Sequence, residues 1–198
     1  MKGWIIGGGI LLVVVMWLVG TYNSFIGLNE NVSTAWAQVQ NQYQRRMDLI
    51  PNIVSTVQGA ANFEKSTLTA VIEARAKATQ VTLSPELINN PQAFQQFQQS
   101  QGELSGALSR LLVSVEAYPT LKSNENFLAL QTELEGTENR ISTERMRFND
   151  VVKTYNIKAK GVPGVFFVSI FGLPKERELF QADTNAQTAP KVQFNTGN

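Results

Sequence analysis

From Trp4 to Gly20 the chain reads WIIGGGILLVVVMWLVG, seventeen positions without a charge. At about 1.5 Å per residue this run, extended by Thr21 and Tyr22, is close to the shorter lengths that cross a bilayer. Trp4 stands at one end and Trp17 and Tyr22 at the other, where amphipathic rings favour the membrane interface. A cleaved leader is the competing reading. It fits less well: the run is long, Lys2 is the one basic side chain before it, and Leu18-Val19-Gly20 is not a small-x-small cleavage site.

Beyond the run the pattern changes to a stripe. Val32, Trp36, Val39, Tyr43, Arg46, Ile50, Ile53, Val57 and Ala60 step by three and four, which is one face of a helix. Pro51 lies inside this stripe and has no N–H for the Met47 carbonyl, so a kink or a restart is expected there. Little separates the apolar run from the stripe except Gly27. The two are expected to join almost continuously, as one rod.

A second helix is predicted over Phe63–Gln80, with Leu68, Val71, Ile72, Arg75 and Thr79 on one side. Ser84-Pro85 and Asn90-Pro91 mark a loop, with Pro91 in the first turn of the next helix. The third stripe is Phe94, Phe97, Gln101, Leu104, Leu108, Leu111, Val115 and Tyr118, ended by Tyr118-Pro119. A fourth helix, capped by Ser123 or Asn124, carries Phe127, Leu130, Leu134, Ile141, Phe148, Val152 and Tyr155 and runs to about Lys160. The pattern predicts an all-α protein: an N-terminal transmembrane helix followed by an antiparallel four-helix bundle with long helices.

Val165 to Leu173 is strongly apolar but far too short to span. Packing over the open end of the bundle, as an extended or short helical segment, is the favoured reading. Contact with a membrane surface or a partner is the sharper one. The expected organisation is an anchor at 1–22, a bundle at 23–160, an apolar segment at 161–181 packing on bundle or membrane, and a polar, disordered tail at 182–198.

Composition then narrows the chemistry. The net charge is only +1, so no basic excess calls for nucleic acid. There is no cysteine, hence no disulfide, thiolate nucleophile or lipid-modified N-terminal Cys, and the redox compartment is unreadable. There is no histidine either, which removes the side chain that titrates nearest neutral pH and the commonest zinc ligand. Di-iron bundles of the ferritin type need Glu-x-x-His pairs, and no Asp-rich loop is present to hold calcium or magnesium. No catalytic residue, cofactor or metal is expected.

One charged feature stands out. Arg46 falls in an apolar stripe, and Glu138 and Arg145 occupy seam positions of the fourth helix. A buried arginine needs a carboxylate, so a polar layer joining Arg46 to Glu138 or Glu144 is expected. Its ordinary role is to set register and helix pairing; a ligand site is the alternative. Paired acids such as Glu133 and Glu135 read as a solvated face.

Several local motifs occur together: Trp36-Ala-Gln-Val, Gln42-Tyr-Gln-Arg-Arg-Met-Asp-Leu-Ile-Pro-Asn52, Glu73-Ala-Arg-Ala76, Asn126-Phe-Leu128, Leu134-Glu-Gly-Thr-Glu-Asn-Arg-Ile141, Phe148-Asn-Asp150 and Tyr155-Asn156. Tyr22-Asn23 precedes them and Phe171-Gly172 follows. Together they resemble the LemA family, from the anchor to about Phe180, with Met47 where an alanine is common. The resemblance implies a membrane-anchored antiparallel helical bundle and supplies no enzyme activity. Magnetosome-membrane relatives point towards membrane organisation or assembly. It singles out Arg45, Arg46, Asp48, Pro51, Asn52, Glu138, Asn139 and Arg140 as structural or interaction positions.

The expected function is a non-enzymatic scaffold or interaction protein, held in the lipid bilayer through residues 4–22. Self-association and contacts with other membrane or envelope proteins are expected, and no nucleic acid. The alternative is a membrane-anchored sensor or regulator binding a small ligand or ion within the bundle; an enzyme using Asp48 or a Glu ranks last. Lys2 precedes the span and the next basic residue is Arg45. The positive-inside rule therefore puts the N-terminus in the cytoplasm and the bundle outside an inner membrane, as a single-pass protein.

Overall fold

A computed structural model describes residues 2–59, 63–81 and 83–181. Ala60 and the expected polar tail at 182–198 lie outside the described residues. Among these residues six α-helices follow in order: α1 (Lys2–Gln58), α2 (Lys65–Gln80), α3 (Pro91–Val115), α4 (Pro119–Lys122), α5 (Glu125–Lys160) and α6 (Gly164–Ile170). A 3-10 turn, Pro85–Asn89, precedes α3. No strand occurs among the described residues.

The apolar run and the first stripe form one helix, α1, without interruption. Every described residue from Trp4 to Gly20 is exposed, and burial begins at Phe25 and continues along Val32, Trp36, Val39, Tyr43, Arg46, Ile50, Ile53 and Val57. Among the described residues α1 is the one helix long and apolar enough to cross a membrane. The restart expected at Pro51 does not occur: the helix continues through it to Gln58, and the carbonyl that the proline orphans finds another donor.

The caps come from asparagines. Asn90 accepts from the Ala93 N–H at 3.1 Å and Asn124 from Phe127 N–H at 3.1 Å, each satisfying a first-turn donor. Pro91 takes the first helical position of α3, where a missing N–H costs nothing. In α2 the buried side is Leu68, Val71, Ala74 and Ala78. Ile72 and Thr79, expected on that side, face solvent, and Thr79 bonds its own helix through the Arg75 and Ala76 carbonyls.

The bundle is built as two antiparallel pairs, α1 with α5 and α2 with α3. Contacts along α1 and α5 run in opposite order: Arg45 meets Glu133, Trp36 meets Phe148, and Phe25 meets Tyr155. At the far end from the apolar run, Phe63 packs on Tyr118, closing the tip.

After α5 the chain turns sharply. A Cβ on Gly164 would stand 1.8 Å from the Lys158 carbonyl oxygen, so only glycine lets α6 fold back this tightly. Gly172 then adopts φ +64°, a left-handed exit from α6 that glycine takes without penalty. Residues 173–181 follow as an extended strap along the bundle. The strap lays Phe180 against Trp36, Phe94, Phe97 and Phe148. The apolar segment thus divides into a short helix and an extended cover.

Candidate functional site

Arg46 divides the core. Towards the tip the packing is mainly aliphatic, from Met47 and Ile50 across to Leu104, Leu111 and Leu134. Towards the apolar run it is rich in rings, with Phe25, Trp36, Tyr43, Phe94, Phe97, Phe148, Tyr155 and Phe180. Offset and edge-on ring pairs of this kind add about 0.5–1.5 kcal/mol each beyond area burial.

At the division the Arg46 side chain is 1% exposed and reaches across to both α3 and α5. One terminal nitrogen donates to Glu138 Oε1 at 2.7 Å on α5 and to Ser105 Oγ at 2.9 Å on α3. The other donates to Gln101 Oε1, also on α3. The guanidinium carbon lies 5.1 Å from the Tyr43 ring centre, a cation–π distance. Nε is buried without a partner among the described residues. The carboxylate partner is Glu138 rather than Glu144, which instead holds Arg147 on its own helix at 2.7 Å. The Glu138 side chain is 38% exposed, so the pair joins a dry cation to a carboxylate at the edge of solvent.

That edge is a groove of about 940 Å³ between α3 and α5, to which α2 contributes Glu73 and Lys77. Tyr43 and Arg46 line it from α1, Gln98, Gln101 and Arg110 from α3, and Glu138 and Arg145 from α5. Burial pushes the Tyr43 hydroxyl above the ordinary tyrosine range, opposed by the nearby cations Arg145 and Arg46. Among the described residues no three acidic side chains converge as metal ligands would.

The eight positions marked by the sequence are not gathered into one site. Arg46 and Glu138 meet. Arg45 pairs with Glu133 at 2.6 Å on the surface, where an ion pair contributes little. Asp48 is exposed and accepts from Gln44 Nε2 at 2.9 Å. Pro51, Asn52, Asn139 and Arg140 are exposed, and the Asn52 and Asn139 carbonyls accept from Thr56 and Thr143 one turn on.

A second buried cation was missed from the sequence. Arg177, in the strap, donates to Asn89 Oδ1 at 2.9 Å and to Asn29 Oδ1, and stacks over Tyr155 at 5.0 Å. Its backbone N–H and carbonyl exchange bonds with the Asn156 carboxamide, both at 2.9 Å. These partners are amides, not carboxylates, and burial pushes its pKa below the usual arginine value. The available signal was Asn156, a polar side chain beside Tyr155 on the inward face of α5. Arg177 itself sits in a Lys-Glu-Arg-Glu run that reads as surface.

An exposed apolar helix end, continuous with a helical bundle pinned by a buried arginine, defines a membrane-associated helical protein. The chain belongs to the LemA family, whose model matches residues 35–194. Three curated relatives are similar to it. Magnetosome proteins MamQ 2 and MamQ 1 of Paramagnetospirillum magneticum are each 26% identical over 180 residues, covering 83% of this chain and 66% of theirs. Magnetosome protein MamQ of Magnetospirillum gryphiswaldense is 24% identical over 181 residues, with the same coverage. The chain therefore spans somewhat less than two thirds of the length of these relatives.

Proposed function

We propose that this protein is a non-enzymatic scaffold, anchored in the inner membrane by residues 4–22, that self-associates and organises membrane or envelope components. The observation that carries this reading is α1, whose first turns are apolar and exposed while its later turns form the bundle core. Apolar surface of that length has a place in lipid and none in water. The similarity to magnetosome proteins supports a role at a membrane. Gly7, Gly8 and Gly9 have open space around them, which permits a second helix to approach closely. The preferred orientation keeps the N-terminus cytoplasmic and the bundle outside.

Crosslinking in native membranes, followed by identification of the captured chains, tests the scaffold directly. Adducts with a second copy and with membrane or envelope proteins are expected. A chain that is monomeric both in native membranes and in detergent removes self-association.

The groove beside Arg46 supports a second reading, a sensor for a small polar ligand or ion. The observation favouring it is that the Arg46 layer borders solvent through Glu138 instead of being sealed. A thermal-shift panel of small anions and metabolites on the full chain decides it, and a flat panel ends it.

A further inference from the structure

We propose that α6 is a second membrane contact: a short helix lying in the bilayer interface beside α1, with its outer face against lipid. The inference rests on the anchor reading above and adds a site to it.

Both faces of α6 are mainly apolar, and they differ in what covers them. Phe167 and Val168 are buried against the bundle. On its outer face Phe166 and Ile170 are 62% and 75% exposed, with Val162 just before the helix at 83% and Phe171 just after it half-exposed. The exposed polar side chain there, Ser169, bonds the Val165 carbonyl of its own helix. A soluble bundle has no reason to place such a patch in water.

The position of α6 along α1 identifies what covers the patch. Phe167 packs edge-on against Trp17 at 5.7 Å, and Phe171 meets Tyr22 at 4.9 Å. Counting from Trp4 at about 1.5 Å per residue, Trp17 lies roughly 20 Å and Tyr22 roughly 27 Å along the span. A hydrocarbon core about 30 Å thick therefore ends near the level at which α6 sits. The outer face of α6 is continuous with the exposed apolar surface of α1, so the layer that covers one reaches the other.

The polar groups beside it agree. Lys158 bonds Ser24 Oγ and stands 5.3 Å from the Phe25 ring centre, and Lys160 pairs with Glu176. Along α1 no charged side chain appears between Lys2 and Glu30. Lys158 and Lys160 thus stand at the end of α5 just before α6, where an interfacial element has headgroup contacts beside it. Gly164 fixes the geometry by allowing the reversal that brings α6 down beside Trp17.

The cysteine-free sequence makes the test direct. Single nitroxide labels are placed at Phe166→Cys and Ile170→Cys, with Leu12→Cys in the span and Val113→Cys on the exposed surface of α3 as references. The full chain is reconstituted in vesicles of phosphatidylethanolamine and phosphatidylglycerol. Collision of each label with oxygen, which prefers lipid, is compared with collision with a water-soluble nickel chelate. The expected result is an oxygen-to-nickel ratio at 166 and 170 several-fold above that at 113 and near that at 12. A ratio matching position 113 puts α6 in water and overturns the proposal. Low collision with both reagents means that protein, such as a second copy, covers the face, which also overturns it. A water-exposed label at position 12 removes the anchor reading itself, a failure distinct from the other two.

Discussion

Arg75 donates its Nε–H to the Met47 carbonyl oxygen at 3.2 Å, from the neighbouring helix. That oxygen is the one Pro51 leaves without a donor, since a proline four residues on has no N–H to return. The α1 helix continues through Pro51 with that carbonyl satisfied, and α2 is tied to α1 at the same point.

Arg75→Ala is expected to cost about 1–2 kcal/mol by leaving a helix carbonyl unsatisfied. In a Pro51→Ala background the alanine N–H takes over, so the same substitution should cost clearly less. Urea unfolding of the four variants in detergent measures the difference. Equal costs in both backgrounds would show that Arg75 acts through something other than this carbonyl.

Glu138→Ala leaves the Arg46 guanidinium dry and without its carboxylate. Breaking a fully buried pair costs about 3–5 kcal/mol, but Glu138 is partly solvated, so about 1–3 kcal/mol is expected here. Glu138→Gln keeps an acceptor and should lose less. Raising salt should narrow the gap between the unsubstituted protein and both variants, because the Glu138 carboxylate is reachable by ions. Thermal unfolding at low and high salt reads both effects.

Phe180→Ala removes the ring that the strap inserts among Trp36, Phe94, Phe97 and Phe148. A loss of about 3–5 kcal/mol is expected for a buried phenylalanine. The more specific consequence is local: amide exchange along 173–181 should accelerate, while α2 and the tip of the bundle keep their protection. Uniform acceleration over the whole chain would contradict a role confined to the strap.

Burial holds both Tyr43 and Tyr155 protonated above the ordinary tyrosine value. In the unfolded chain that value is about 10, so with rising pH the unfolded state releases these protons first. Fewer protons on the unfolded state means that stability falls as pH rises. The tyrosine contribution is therefore constant below about pH 10 and is lost above it. Tyr43→Phe should flatten the alkaline decline in a urea-midpoint series; an unchanged decline would assign it to other groups.

The long elements were legible because each buries a single face at helical spacing. The stripe from Val32 to Val57, and that from Phe94 to Val115, lie where burial is found. Of the candidate positions, Arg46 was legible as needing a carboxylate because a cation in an apolar stripe requires a partner, while the choice of Glu138 over Glu144 came from the structure. The strap was not. A segment buried in a groove between helices has no periodicity of its own, and Arg177 is buried by contacts with Asn29, Asn89 and Asn156, far apart in sequence. The continuity of α1 through Pro51, where a restart is expected, was illegible in the same way: the donor to the Met47 carbonyl is a side chain from another element.

The unbroken course of α1 has a consequence for reach. Thirty-six residues separate Tyr22 from Gln58, and at about 1.5 Å each they hold the far tip roughly 54 Å from the end of the apolar run. With the run in a bilayer, that length sets a stand-off height for the loops around Phe63 and Tyr118, and the angle at which α1 leaves the membrane determines where they point. The helix then works as a ruler. Partners at that height are within reach of the tip, while those nearer the lipid meet only the sides of the bundle.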